Sequence, residues 1–163
     1  TVATTTSSAN IALVKSLGAD VVIDYKTQDF EDVLRDYDVV LNSQDGKTLE
    51  KSLRVLKAGG KLISISGPPD PEFGKESSAP GFVKLVMRLL SSGVRRRAQG
   101  RGIGYSFLFM KANGAQLREI THLIEAGAIR PVIDKVFPFE STNEALAHVE
   151  AGRAKGKGGV KRK

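Results

Sequence analysis

The run Thr4-Thr5-Thr6-Ser7-Ser8-Ala9-Asn10 sets hydroxyls and an amide where a short apolar stretch gives way to a helical pattern. Hydroxyls and helix N-terminal amides converge at such a turn, and together they can hold a phosphate. In a dinucleotide fold the second strand usually ends in an acid that binds the NAD ribose, and an NADP site lacks it. No acid precedes Asp20, which favours a 2′-phosphate if the fold is of that kind. An ordinary Ser/Thr helix cap uses the same residues and is the commoner reason for such a run.

Other candidate motifs carry less chemistry. Gly46-Lys47-Thr48 resembles the end of a P-loop, but Leu41 stands where that loop needs glycine. Lys47 then reads as a solvated residue at a helix start. His122 and His148 are the only histidines, and neither has a second ligand at metal-binding spacing. No tyrosine is followed four residues later by lysine, and no Gly-x-Ser-x-Gly occurs. The residues thus signal binding, and no catalytic residue is assigned.

The net charge of +7 is unevenly spread: residues 77–118 hold eight Lys or Arg and residues 152–163 hold six, with no acid in either block. Confined charge of this kind suits local anion sites better than a nucleic-acid surface. Arg95-Arg96-Arg97 comes without an identifiable recognition helix or stacking aromatics, and reads as a solvated basic loop within 93–104. Nonspecific anion or nucleic-acid binding through the two blocks stays open as a weaker alternative.

The elements that would position these residues follow from periodicity. Strand-length apolar runs at 2–5, 21–25, 38–42 and 61–66 alternate with helical patterns, the mark of a parallel sheet built from crossover units. One helix carries Ile11, Val14 and Leu17 on one face, with Ser7 or Ser8 to cap it and Gly18 to end it. A second carries Leu49, Leu53 and Leu56, stopped by Gly59 and Gly60. Prolines 68, 69 and 71 then break the pattern before an apolar helix with Phe82, Leu85, Val86 and Leu89. A strand over 105–110, a helix with Leu117, Ile120 and Ile124, and an irregular extended run over 129–139 follow. Ser141 and Glu144 have capping-box spacing at the start of a last helix. No apolar stretch approaches the roughly 20 residues that cross a bilayer, so no membrane is expected. The polar start shows no secretory signal, and the absence of cysteine permits a cytoplasmic setting, which we expect.

Several motifs succeed one another across nearly the whole chain: Leu17-Gly18-Ala19-Asp20, Val22-Ile23-Asp24-Tyr25, Leu56-Lys57-Ala58-Gly59-Gly60-Lys61, Gly127-Ala128-Ile129-Arg130-Pro131-Val132 and Phe137-Pro138-Phe139. Glu144-Ala145 and Gly152-Arg153-Ala154-Lys155-Gly156-Lys157 complete the series. In this order they resemble the cofactor domain of the medium-chain dehydrogenase/reductase superfamily, in its zinc-free quinone oxidoreductase branch. The resemblance implies an α/β fold, a Rossmann-like doubly wound, mostly parallel sheet. It implies that this sheet is incomplete, because the family's catalytic domain, first strand and glycine-rich turn precede the part matched here. The lost strand is central in the order 3-2-1-4-5-6, so two sheet halves should lack their shared partner.

The resemblance also implies roles. Thr6, Ser7 and Asn10 would hold the adenosine 2′-phosphate of NADP(H), and Tyr25 would lie at the same end of the cofactor; the family often has lysine in place of Asn10. Asn42 and Ser43, with Ile65, Ser66 and Gly67, would form the floor beneath the ribose and nicotinamide. Phe107, Leu108 and Phe109 would reach the nicotinamide, and Arg153, Ala154 and Lys155 would make a late cofactor contact. The expected activity is hydride transfer from NADPH to a small-molecule electron acceptor, a quinone or activated alkene or carbonyl, with this chain alone inactive. The expected division is a partial dinucleotide-binding domain over 1–151 and a basic tail over 152–163. Relatives pair edge strands where 105–110 lies, so a homo-oligomer through that strand is expected, and an interaction module is the alternative function. The family's closing β-rich run is replaced by Gly158-Gly159-Val160-Lys161-Arg162-Lys163, so the last strand is expected to be weak or absent.

Overall fold

A computed structural model describes residues 1–77, 79–152 and 154–162. The chain divides into two compact units, one of residues 1–22 and 112–163 and one of residues 23–111.

The second unit carries the larger sheet. Strands β3 (Tyr37–Asn42), β4 (Leu56–Ser64) and β5 (Gly104–Phe107) pair in parallel in the order β3-β4-β5. Helix α3 (Gly46–Val55) connects the first two, and its start is held by the Asp45 side chain, which accepts from the Thr48 amide at 2.9 Å. Helices α4 (Pro71–Glu76), α5 (Gly81–Leu90) and α6 (Ser92–Gly100) lie between β4 and β5 in sequence. A short helix α2 (Phe30–Val33) precedes β3. One face of the sheet is covered: Leu49 and Leu53 of α3, Val94 and Ala98 of α6, Leu56 and Leu62 of β4, and Ile103 form one buried cluster. Leu62 at its centre is fully buried. On the opposite face Val39 and Leu41 remain 55% and 63% exposed.

Two features here differ from expectation. Residues 93–104 are not a basic loop, since 92–100 form α6. Val94 and Ala98 stand one helical turn apart and drop into the core, while Arg97 turns outward to pair with Glu50. Arginine is itself a good helix former, so a buried stripe only two residues wide suffices. Leu56 is not helical either: its backbone is extended and it opens β4 opposite Tyr37. The register with β3 then shifts, and Gly59, at φ +82°, supplies the left-handed residue in the irregular stretch before Lys61.

In the first unit, β1 (Ala3–Thr6) pairs with β2 (Val21–Asp24), along which the chain passes to the second unit. A three-residue 3₁₀ turn (Ser8–Asn10) opens α1 (Ile11–Ser16) between them, with Gly18 beyond its end. Helix α7 (Gly114–Glu125) is capped by Asn113, whose side chain accepts from the amides of Ala115 and Gln116. The unit closes with a crossover of β6 (Ile133–Pro138), α8 (Thr142–Glu150) and β7 (Lys157–Lys161), the two strands being parallel. Phe137 and Ala145 are its buried residues. The last strand is therefore present, because Gly158 and Gly159 pair by backbone alone with Lys135 and Val136. Ser141 makes no side-chain cap to α8; the Thr142 hydroxyl instead donates to the Phe139 carbonyl at 2.5 Å. His148 of α8 meets Asp134 of β6 at 2.7 Å.

Within the larger unit β3-β4-β5 is a parallel run of the kind that makes one half of a doubly wound sheet, and β1 and β2 form a separate pair. The architecture is α/β and Rossmann-like, as expected.

Two stability measurements follow. Leu62→Ala should cost about 3 kcal/mol in denaturant unfolding, as for other fully buried leucines, whereas Leu41→Ser should change stability by less than about 0.5 kcal/mol. The hydrogen bond from His148, helped by the Lys155 backbone amide, holds the Asp134 carboxyl below its ordinary value of 3.8. A carboxylate with a lowered native pKa stabilises the fold above that ordinary value, and the contribution is lost as pH falls through the native pKa. Asp134→Asn should therefore flatten the fall in thermal midpoint below pH 4, measured against the unaltered chain.

Candidate functional site

In open α/β sheets, ligands bind beyond the carboxyl ends of parallel strands. At that end of β3, β4 and β5, three side chains with polar groups stand in one row. The strand register places Asn42 opposite Ser64, and Asn42 and Ser64 are 2% and 0% exposed. The Asn42 amide donates to the Ser64 hydroxyl at 3.4 Å, and the hydroxyls of Ser64 and of Tyr105 on β5 both stand beside Gly67. The Tyr105 hydroxyl donates to the Pro68 carbonyl at 2.6 Å.

This row supports the turns above it. The Ser64 hydroxyl accepts from the Gly67 amide at 2.8 Å, and the Asn42 carbonyl accepts from the Ile65 amide at 3.0 Å. The Asn42 side chain also accepts from the Gln44 amide at 3.2 Å, and the Ser66 hydroxyl donates to the Gln44 carbonyl. Only glycine fits at 67: a β-carbon there would lie 2.7 Å from the Ser64 hydroxyl and 2.9 Å from that of Tyr105. The turn is thus drawn tightly onto the polar row.

Asp70 secures the far side. It is 5% exposed, and its two oxygens accept from the Phe73 amide at the start of α4 (2.9 Å) and from the Phe107 amide on β5 (3.3 Å). Burial pushes the Tyr105 phenol up to about 12, the nearby Asp70 charge adds to the rise, and the Ser64 hydroxyl opposes it. Phe73 and Phe107 meet edge to face with ring centres 5.2 Å apart, and Phe109 lies 5.9 Å from Phe73. With Ile63, Glu72 and Glu76 these rings line a cleft of about 460 Å³ along β5.

The structure therefore brings Asn42, Ile65, Ser66, Gly67, Phe107 and Leu108 to one end of one sheet, the Leu108 amide donating to the Ser64 carbonyl at 2.9 Å. Ser43 is exposed beside Asn42. The strand predicted over 105–110 is shorter, ending at Phe107; Leu108 and Phe109 are 56% and 60% exposed.

In the other unit, Thr6, Ser7 and Asn10 lie together at the turn from β1 to α1. Ser7 is extended and makes no side-chain cap, so its hydroxyl is not the helix cap that the sequence also allowed. The Asn10 Oδ1 atom is buried without a partner. Turning that amide over would present its NH₂ instead, the group that an anion accepts from. Tyr25, just after β2, is 61% exposed. Ala154 and Lys155 precede β7; Arg153 lies outside the described residues. Ser64, Asp70 and Tyr105 were not singled out from sequence. Asp70-Pro71 is a readable helix start, but nothing local shows that the second oxygen of Asp70 reaches β5.

Among the described residues no group of three His, Cys, Asp or Glu side chains could hold a metal ion, and no helix is long and apolar enough to cross a membrane. His122 faces Glu125 at 3.6 Å, one turn along its own helix.

Comparison with known proteins supplies the family. A profile described as "Zinc-binding dehydrogenase" matches residues 17–158. The mitochondrial NAD(P)H oxidoreductase RTN4IP1 of Bos taurus is 35% identical over 150 residues, covering 89% of this chain and 37% of the relative. The 2-methylene-furan-3-one reductase of Solanum lycopersicum is 32% identical over 158 residues, covering 96% of this chain and 32% of the relative. The chain thus spans a third to two fifths of the length of these curated relatives. In fold, the quinone oxidoreductase of Coxiella burnetii superposes with a TM-score of 0.72 at 24% identity, over 99% of this chain and 44% of that one. The profile covers most of the chain and the motifs follow in family order, so the chain belongs to the zinc-binding dehydrogenase family, within the medium-chain dehydrogenase/reductase superfamily.

Proposed function

We propose that this chain is the NADPH-binding portion of an oxidoreductase that passes hydride to a quinone or an activated alkene or carbonyl. The observation that carries the reading is the polar row at the carboxyl ends of β3, β4 and β5, with Gly67 held against it. The names of relatives point the same way: one is an NADPH-dependent alkenal/one oxidoreductase of Arabidopsis thaliana, 31% identical over 158 residues. The mitochondrial and chloroplastic names among them widen the expected cytoplasmic setting to organelle interiors.

The bound nicotinamide supplies the hydride, and the protein supplies position and a dry surface. In this reading Ser66 and Gly67 form the floor at the nicotinamide end, with Asn42 and Ser43 beside the ribose and Phe107, Leu108 and Phe109 along the reacting edge. Thr6, Ser7 and Asn10 take the 2′-phosphate, with Tyr25 at the same end. The uncommitted Ser7 hydroxyl and the unpartnered Asn10 side chain fit that role. Arg153, Ala154 and Lys155 supply the late contact. Among the described residues none is assigned to protonate a substrate, and the chain alone is expected to bind cofactor without turning over. The hydride transfer proposed here calls on no zinc. Two copies associate through the outer edge of β5, which among the described residues pairs with β4 on its other side.

Titration of the chain with NADPH and NADH tests the reading. NADPH should bind at least about tenfold more tightly, since charge-assisted hydrogen bonds to a phosphate are the strong ones. Ser7→Ala should weaken NADPH about fivefold and leave NADH unchanged, in line with one lost hydrogen bond. Equal affinity for the two nucleotides contradicts the role given to this turn.

A further inference from the structure

One group that the proposed function does not use is Tyr105. Its side chain leaves the middle strand pairing of β5 opposite Leu62 and packs against the buried cluster of α3, α6 and β4. A phenylalanine would fill that space equally well. The hydroxyl does something packing does not require: it ties β5 to the turn that follows β4. Asn42 of β3 donates to Ser64 of β4, and Tyr105 of β5 donates to the carbonyl of Pro68. The Gly67 amide donates to Ser64. The bend at 65–68 is therefore held at two successive points, the Gly67 amide and the Pro68 carbonyl, by side chains from two different strands.

The Tyr105 hydroxyl and the Gly67 amide each have an acceptor, which buried polar groups need if they are to rigidify rather than destabilise their surroundings. The contact at Gly67 also leaves no slack. With Ser64 and Tyr105 both closer to its missing β-carbon than any real β-carbon tolerates, the turn rests directly on the two hydroxyls.

We propose that Tyr105 is a positioning residue for the nucleotide site: its hydroxyl, acting through the Pro68 carbonyl alongside the separate support from Ser64, fixes the Ser66-Gly67-Pro68 turn on which the nicotinamide end of the cofactor rests. The inference rests on the proposed function, and it places Tyr105 behind the site surface, where it touches no ligand. Tyr105 therefore acts on affinity through turn geometry, and on the nicotinamide half of the cofactor alone. Loss of the hydroxyl affects NADPH and NADH alike, because the two share that half.

The test uses Tyr105→Phe, which keeps the ring in the core, and Ser64→Ala as a second variant that removes the other support. Amide hydrogen exchange at Gly67, followed by NMR without ligand, should speed up at least about tenfold in both variants, while exchange at Leu62 stays within about twofold of the original. Titrations should show NADPH and NADH weakened by the same factor of about five, the size expected for one buried hydrogen bond. Binding of adenosine 2′,5′-bisphosphate, which lacks the nicotinamide half, should be unchanged. Gly67 exchange unaltered in both variants overturns the support role. Faster exchange with unaltered nucleotide affinity overturns the positioning role. If the original chain binds neither nucleotide, the proposed function itself has failed, and the Gly67 exchange then reports on the turn alone.

Discussion

The architecture of the larger unit depends on α3 and α6 packing onto one face of the parallel sheet β3-β4-β5. Leu49, Leu53, Val94 and Ala98 come down on Leu56, Leu62 and Ile103 from two helices that are about forty residues apart in sequence. That burial fixes the register of three strands, since a slip of one residue would turn Leu62 and Ser64 to the uncovered face. Correct register in turn aligns Asn42 with Ser64 and Leu62 with Tyr105. A polar row forms at the strand ends because an apolar core forms beneath it.

The same arrangement leaves much apolar surface uncovered. Val39 and Leu41 are over half exposed on the second sheet face, and Phe82, Leu85 and Leu89 of α5 are similarly open. Helix α7 in the other unit has no buried residue although Leu117, Ile120, Leu123 and Ile124 share its apolar stripe. A doubly wound fold covers both sheet faces with helices, whereas the larger unit covers one. Its stability therefore rests on a small cluster, and Leu62 is a sensitive point in it.

Much of the fold could be read from the residues. Four strands and the α1, α3 and α5 helices appear in the periodicity, because each carries its own buried or apolar pattern. The errors fall where a local pattern gives no sign of a distant partner. Glycines and arginines at 93–104 look like a loop until Val94 and Ala98 find α3, and Gly158-Gly159 looks too weak for a strand until β6 supplies the hydrogen bonds. The site divides the same way. Asn42, Ser66 and Gly67 were reached through family order, but Ser64, Asp70 and Tyr105 act through partners 22 to 37 residues away. No spacing rule joins residues at such separations.

In the proposed function, two separate groups of residues bind the two ends of one dinucleotide. Chemical-shift mapping with cofactor halves tests it most directly. Adenosine 2′,5′-bisphosphate should perturb the amides of Thr6, Ser7 and Asn10 and leave those of Ser66 and Gly67 unmoved, and nicotinamide mononucleotide should do the reverse. Perturbation by both halves at Arg95, Arg96 and Arg97, with neither group responding, would contradict the account and return the chain to a nonspecific anion binder.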